Sequence, residues 1–507
     1  MNRLSSFVLV ILSFFYIFSH SGISEPILHA NEINGVIDKN RLSDPDIRTV
    51  SDTLARYTMG AVYDNFGMTA EAVAEYKEAL REGKGVTEIY LKLGADLMLM
   101  NRLDEAAEEL NKAAEIDPEN TRVHLLLAVI HTAKGEFGKA ATQHEEALKY
   151  EPGNLDTLTF LSELFIAQRK FDKAAEVYEK MLRIRDNDAF LYFNLGIIYS
   201  KLELLDKAEE KLKKAIEVDE EYIAAQMVLG FIYEEDGKND KAIERYRKVT
   251  ELDPANKDAY IRLVQIYNGM KQFERAETEN DKLFEIDPDS VEPYLNRFST
   301  HLYQKKYREA EQAVEEALAK GLKSASLHAS LGYLYSTEGD YSKACAEYEK
   351  AVLIDGDNDI YKLYLATALD QAGRKEEVIK VLEEITAGDE GLPEAYNYLG
   401  YLYAESDRDL DKAVALIEKA LKLDPNNGAY LDSLGWAYYK QGNMDGALVE
   451  MKKAAKNLPN DPVVAEHLGD IYNASGKTLE AVKEWKKALK GDPKNEPLRI
   501  KIEKNKK

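Results

Sequence analysis

The small, aromatic and alanine positions of this chain recur every 34 residues. Gly435, Tyr438, Gly442, Ala447, Ala454 and Pro459 fall, at that offset, on Gly469, Tyr472, Gly476, Ala481, Ala488 and Pro493. Such a fixed period marks a tandem repeat. Each unit reads as two antiparallel helices. Small residues at unit positions 8 (Gly435, Gly469) and 20 (Ala447, Ala481) let the helices approach, with apolar and aromatic neighbours supplying buried area. Glycine at position 15 (Gly442, Gly476) opens the turn. Proline at position 32 (Pro459, Pro493) ends the second helix, because the residue before a proline is driven out of the α region. Asn or Asp shortly afterwards is a natural N-cap for the next helix.

The same phase carries back through the chain. Alanine holds position 20 at Ala72, Ala106, Ala140, Ala174, Ala208, Ala242, Ala276, Ala310 and Ala344, and Val378 takes the next slot. A one-residue insertion near Asp407–Leu410 then shifts the series to Ala413, Ala447 and Ala481. Thirteen repeats result: ten in strict register over 53–392 (53–86, 87–120, 121–154, 155–188, 189–222, 223–256, 257–290, 291–324, 325–358 and 359–392), then 393–427, 428–461 and 462–495. Residues 496–507 are expected to form a capping helix, with Leu498 and Ile502 on one face and Lys501, Lys504, Lys506 and Lys507 suiting a helix C-terminus. Position 8 is Gly in eight repeats and Ala128, Ser162 or Ala366 in three more. Val264 and Phe298 are the exceptions, and overpacking there predicts a local irregularity around Lys257–Ser324.

This pattern (small-8, Tyr-11, Ala-20, Ala-27, Pro-32) resembles the tetratricopeptide repeat family. The resemblance implies an all-α fold: a right-handed α-α superhelix of about thirteen helical hairpins, closed by the capping helix, with a concave working face. In that family the first helix of each repeat lines the face through positions 2, 5, 9, 12 and 13. Carried onto this chain, those slots hold Arg122, Phe190, Met227, Asn268 and Lys440 among others. The binding groove is assigned to Phe193, Phe231, Tyr333, Asn397, Tyr401, Asp432, Trp436 and Tyr439, since Trp and Tyr are frequent interface anchors. Positive charge is sparse in these slots, so a carboxylate clamp of the kind some family members carry is not expected. An apolar extended or helical protein segment fits better. The block Tyr396–Leu402, the insertion Asp407–Asp411 and the run Asn427–Trp436 resemble the C-terminal part of exported bacterial tetratricopeptide proteins. Some of those are adaptors of carboxyl-terminal processing proteases.

The N-terminus changes the setting. Met1–Arg3 is basic and Phe7–Phe18 apolar, shorter than the roughly 20 residues a membrane-crossing helix needs. Residues 1–24 therefore read as a signal peptide, with cleavage after Ser24 or Ala30, and 25–52 as a polar linker in which a short helix from Pro45 could cap the first repeat. Export to a bacterial periplasm or cell envelope is expected. A membrane contact would come from that segment if it is retained. The net charge of −24 argues against nucleic acid or an anionic membrane as partner. A single cysteine, Cys345, excludes an internal disulfide framework and reads as a packing residue.

No other chemistry stands out. Gly476-Lys477-Thr478 lacks the glycine five residues earlier that a phosphate loop requires, since Ile471 is there. His124, His131, His144, His301 and His328 occupy core aromatic positions and are expected to be buried and hydrogen-bonded rather than metal ligands. With repeats filling 53–495 and no nucleophile signature, neither an enzyme nor a cofactor is expected; other proteins or peptides are the expected partners. Two roles compete within that reading: an adaptor for an envelope protease, and an assembly factor of a secretion or polysaccharide-export complex. A membrane-anchored structural protein is the alternative if the signal is uncleaved.

Overall fold

The computed structural model describes residues 45–82, 86–388 and 391–505. The expected signal peptide and most of the linker lie outside them. The described residues form twenty-seven helices and no strand. They divide between Pro254 and Ala255 into two units. The first holds six hairpins, from Pro45–Asn65 with Thr69–Glu82 to Ile223–Glu235 with Asn239–Leu252. The second holds seven, from Lys257–Gly269 with Phe273–Ile286 to Pro462–Ala474 with Thr478–Gly491, and ends in the helix Glu496–Lys504. Within each unit the first helix of a repeat packs on its own second helix, and that on the next repeat. The described residues begin with one helix of 21 residues, which runs unbroken from Pro45 through the first helix of repeat 1.

One turn closes every hairpin. The residue at position 15 has a left-handed backbone in all thirteen repeats. It is glycine in seven of them, but Asn101, Arg169, Glu203, Lys271, Lys305 and Asp407 adopt the same conformation, with φ between 52° and 59°. The N–H at position 16 then bonds the carbonyl at position 11, as Arg102 does to Leu97 and Lys477 to Tyr472, both at 2.8 Å. This closure satisfies carbonyls that the first helix would otherwise leave unpaired. Hydrogen-bonded caps start many first helices. Asn154 accepts from the N–H of Thr157, Asn427 from those of Ala429 and Tyr430, and Asp461 from those of Val463 and Val464.

Inside each hairpin, position 8 meets position 24. A Cβ placed on Gly230 would lie 2.7 Å from Tyr246 Cε1, and one on Gly332 would lie 2.8 Å from Tyr348 Cδ1. Glycine at 8 therefore makes room for a large side chain at 24. Val264 and Phe298 reverse the arrangement, because their partners at position 24 are the smaller Asn280 and Val314. Both exceptions are buried, at 0% and 5% exposure. The overpacking expected there is offset within the same repeat. What departs from the rule is repeat 8, whose helices Glu292–Tyr303 and Tyr307–Ala319 are each a residue shorter than those of repeat 7.

Tyrosine at position 11 ties neighbouring repeats. Its hydroxyl donates to a glutamate on the preceding repeat's second helix: Tyr233 to Glu209 at 2.9 Å, Tyr438 to Glu418 at 3.2 Å, Tyr403 to Glu383 at 2.5 Å. The cap helix is held by Lys501, which donates to Glu466 (2.8 Å) and to Asp470 (2.7 and 2.9 Å). Asp470 also accepts from Trp485 Nε1 at 2.9 Å.

Candidate functional site

The first helices of repeats 11 to 13 (Pro393–Glu405, Gly428–Lys440 and Pro462–Ala474) gather most of the sequence-assigned groove residues. Trp436 is their centre. Its ring stacks on His467 with centroids 4.2 Å apart and 20° between planes, and lies 5.1 Å from Tyr439. Its Nε1 donates to Glu405 at 3.2 Å. Lys440 stands over the indole at 5.8 Å and is itself held by Asp407 at 3.1 Å. Four polar or aromatic partners thus fix a half-buried tryptophan.

His467 completes the chain of contacts back to repeat 12. Its Nδ1 donates to both oxygens of Asp432, at 3.0 and 3.1 Å, and both residues are buried. Burial alone would lower the imidazole's pKa. The hydrogen bond and charge of Asp432, with Asp470 and Glu405 nearby, outweigh it, so the pKa is raised. Asp432 therefore holds His467 under the tryptophan rather than facing a ligand. His467 sits at position 6, outside the family's groove slots; the clue in the sequence was an acid at position 5 followed 35 residues later by histidine.

Tyr401, half-buried one repeat earlier, is pushed up to about 12, first by burial and then by the carboxylates of Glu405, Asp432 and Asp370. Asn397 is half-buried too, and its Oδ1 is buried without a partner among the described residues. The inserted segment serves this site. Asp407 and Asp409 both take left-handed backbone, and Asp407 and Asp411 reach across to Lys440 and to Gln441 Nε2 (2.8 Å). Asp407 and Asp411, on either side of the extra residue, strap repeat 11 to the end of repeat 12's first helix.

The remaining assigned residues lie elsewhere. Tyr333 in repeat 9 is 54% exposed. Phe193 and Phe231 belong to the first unit. Phe193 is half-buried, with its ring 5.1 Å from Tyr222, while Phe231 is 43% exposed. Asn268, expected in the groove, is buried instead, and its Nδ2 donates to Thr300 Oγ1 of the next repeat at 2.9 Å.

Among the described residues no group of three or more His, Cys, Asp or Glu could hold a metal ion. His124 is buried between Gln143 Oε1 and the Pro118 carbonyl, both at 2.8 Å. His131 and His328 face Glu136 and Glu347. His301, half-buried, has its Nδ1 buried without a partner among the described residues, and His144 too departs from the hydrogen-bonded expectation. Its Nδ1 is buried without a partner among the described residues, and burial pulls its pKa down to about 4. Cys345 is a buried free thiol, raised by that burial. No helix among the described residues is long and apolar enough to cross a membrane.

An all-α stack of helical hairpins, each closed by the same left-handed turn, is the class of protein these features define. The chain belongs to the tetratricopeptide repeat family, which matches at residues 66–130, 131–196, 191–222, 233–297, 295–360, 363–428 and 404–470. It is 30% identical over 135 residues to the human protein O-mannosyl-transferase TMTC1, covering 27% of this chain and 15% of that protein. It is 46% identical over 50 residues to the TPR repeat-containing protein PA4667 of Pseudomonas aeruginosa, covering 10% and 8%. The chain thus spans only a small part of either relative. Among solved structures, Naa15/Naa10 bound to HypK-THB is similar at 18% identity and a TM-score of 0.46, over 85% of this chain and 67% of that one.

Proposed function

We propose that this protein is a non-catalytic scaffold, exported to the cell envelope, that holds protein or peptide segments against the first helices of its repeats. The observation that carries the reading is the fixed aromatic platform of repeats 11 to 13. Tyr401, Trp436 and Tyr439 are half-buried, and Trp436 is held by Glu405 and His467, so a partner would meet rings already in place. Exposed Tyr333 and Phe231 extend the apolar character to other repeats. Export is supported by the basic start and apolar run Phe7–Phe18. The C-terminal block's resemblance to protease adaptors supports presentation of substrates to an envelope protease as the specific role.

Capture from envelope extract tests this. The wild-type chain is expected to retain a discrete set of proteins that Trp436→Ala with Tyr401→Ala loses, at unchanged helicity. An unchanged set with the fold intact would remove the site.

A further inference from the structure

The chain's charge is unevenly placed. Between residues 477 and 507 there are eleven Lys and Arg against five Asp and Glu, a surplus of six, in a chain whose total is −24. On the second helix of repeat 13, Thr478–Gly491, Lys483, Lys486 and Lys490 follow Leu479 at spacings of four, three and four, which sets all four along one helical stripe. None of the three lysines makes an ion pair among the described residues, whereas adjacent Lys487 is held by Glu484 at 2.6 Å. Leu479 is 81% exposed at the head of the stripe. These side chains, with Val482 and Asn505, line an open hollow of roughly 580 Å³ on the last repeat.

We infer that this face docks on an anionic phospholipid surface. Unpaired ammonium groups around an exposed leucine suit a headgroup layer: the lysines meet lipid phosphates while the leucine enters the acyl boundary. The stripe runs over the 12 residues from Leu479 to Lys490, about 16 Å at the helical rise, and is reachable as a face. The charge of the rest of the chain does not cancel it, because at physiological ionic strength screening limits each charge to about 8 Å. Recognition here is separate from the aromatic platform.

Co-sedimentation of the full chain with vesicles tests the inference. The chain is expected to bind vesicles of phosphatidylcholine with 30 mol% phosphatidylglycerol (about one lipid in three, chosen as an anionic leaflet) more tightly than pure phosphatidylcholine. The difference should shrink with added salt. The neutral vesicles account for binding by the apolar N-terminal run. Lysines near such a surface each strengthen binding about fivefold, so Lys483→Gln with Lys486→Gln and Lys490→Gln should weaken the anionic-specific binding about a hundredfold. Leu479→Ala should weaken it about tenfold with the charge intact. All four positions are on the surface, and circular dichroism checks that the variants fold. Equal binding to both vesicle types, or no change in the lysine variant, overturns the inference. So does capture of polyglutamate without capture of anionic vesicles, which would assign the stripe to an acidic protein.

Discussion

Removing one partner of the Asp432–His467 pair at a time should have very unequal effects. Both side chains are about nine-tenths buried, at 10% and 11% exposure, and they are hydrogen-bonded to each other. His467→Ala leaves a carboxylate buried without its donor, a change that typically costs about 3–5 kcal/mol. Asp432→Asn leaves an imidazole that sheds its proton and keeps a neutral hydrogen bond, so about 1 kcal/mol is expected. The pair also gives stability a pH dependence. The folded pKa of His467 is raised, so the protonated pair contributes fully below the ordinary histidine value of about 6.5 and is lost as pH rises through the folded value. The advantage of wild type over Asp432→Asn is therefore largest near pH 6 and shrinks toward alkaline pH. Urea unfolding followed by tryptophan fluorescence reads this end of the chain selectively, because the two tryptophans, Trp436 and Trp485, lie in the last two repeats. Equal costs for the two substitutions, within about 0.5 kcal/mol at pH 6, would refute the view that a charged pair supports the platform.

Three further outcomes are expected. Arg169→Gly and Glu203→Gly, at left-handed positions with φ of 57° and 59°, should each stabilise by about 1 kcal/mol in thermal unfolding, whereas Gly442→Ala should cost a similar amount. Gly332→Val should cost about 3 kcal/mol because Tyr348 cannot retreat, and adding Tyr348→Asn, the pairing repeat 7 uses, should recover part of that; strictly additive losses would refute the reciprocity. Asp96 is pushed up to about 8, first by burial and then by the charge of Asp64. Its neutral form contributes stability that is full below the ordinary value of 3.8 and is lost as pH rises from there to about 8, so opening of Thr87–Leu99, read as hydrogen exchange divided by the intrinsic rate at each pH, should become easier between about pH 5 and 8 in wild type and not in Asp96→Asn.

The architecture was legible because one residue type recurs at each of a few structural tasks in most repeats. Alanine at 20, the turn at 15 and proline at 32 each answer to backbone geometry that does not vary along the chain. The turn shows the limit of such reading: position 15 is left-handed even where the residue is Arg169 or Lys271, so the hairpin imposes a conformation the sequence there does not favour. The expected irregularity at Val264 and Phe298 was drawn from position 8 alone; its compensation at Asn280 and Val314 was visible in the sequence once the two positions were paired. The aromatic slots were legible from the family's spacing, but the support under Trp436 was not. That support depends on a contact between position 9 of one repeat and position 6 of the next, which no single-repeat pattern contains.

The match between positions 8 and 24 has a consequence for how such a chain can change. Because bulk is balanced inside one hairpin, a crossover at a repeat boundary hands over a matched pair, and gene duplication or deletion in steps of 34 codons preserves the fit of the two helices within each hairpin. A crossover inside a repeat would join one hairpin's first helix to another's second. Setting Phe298 against Tyr246, for example, would bring together two bulky residues that each evolved against a small one. The array can lengthen or shorten by whole units, but its half-units are not exchangeable parts.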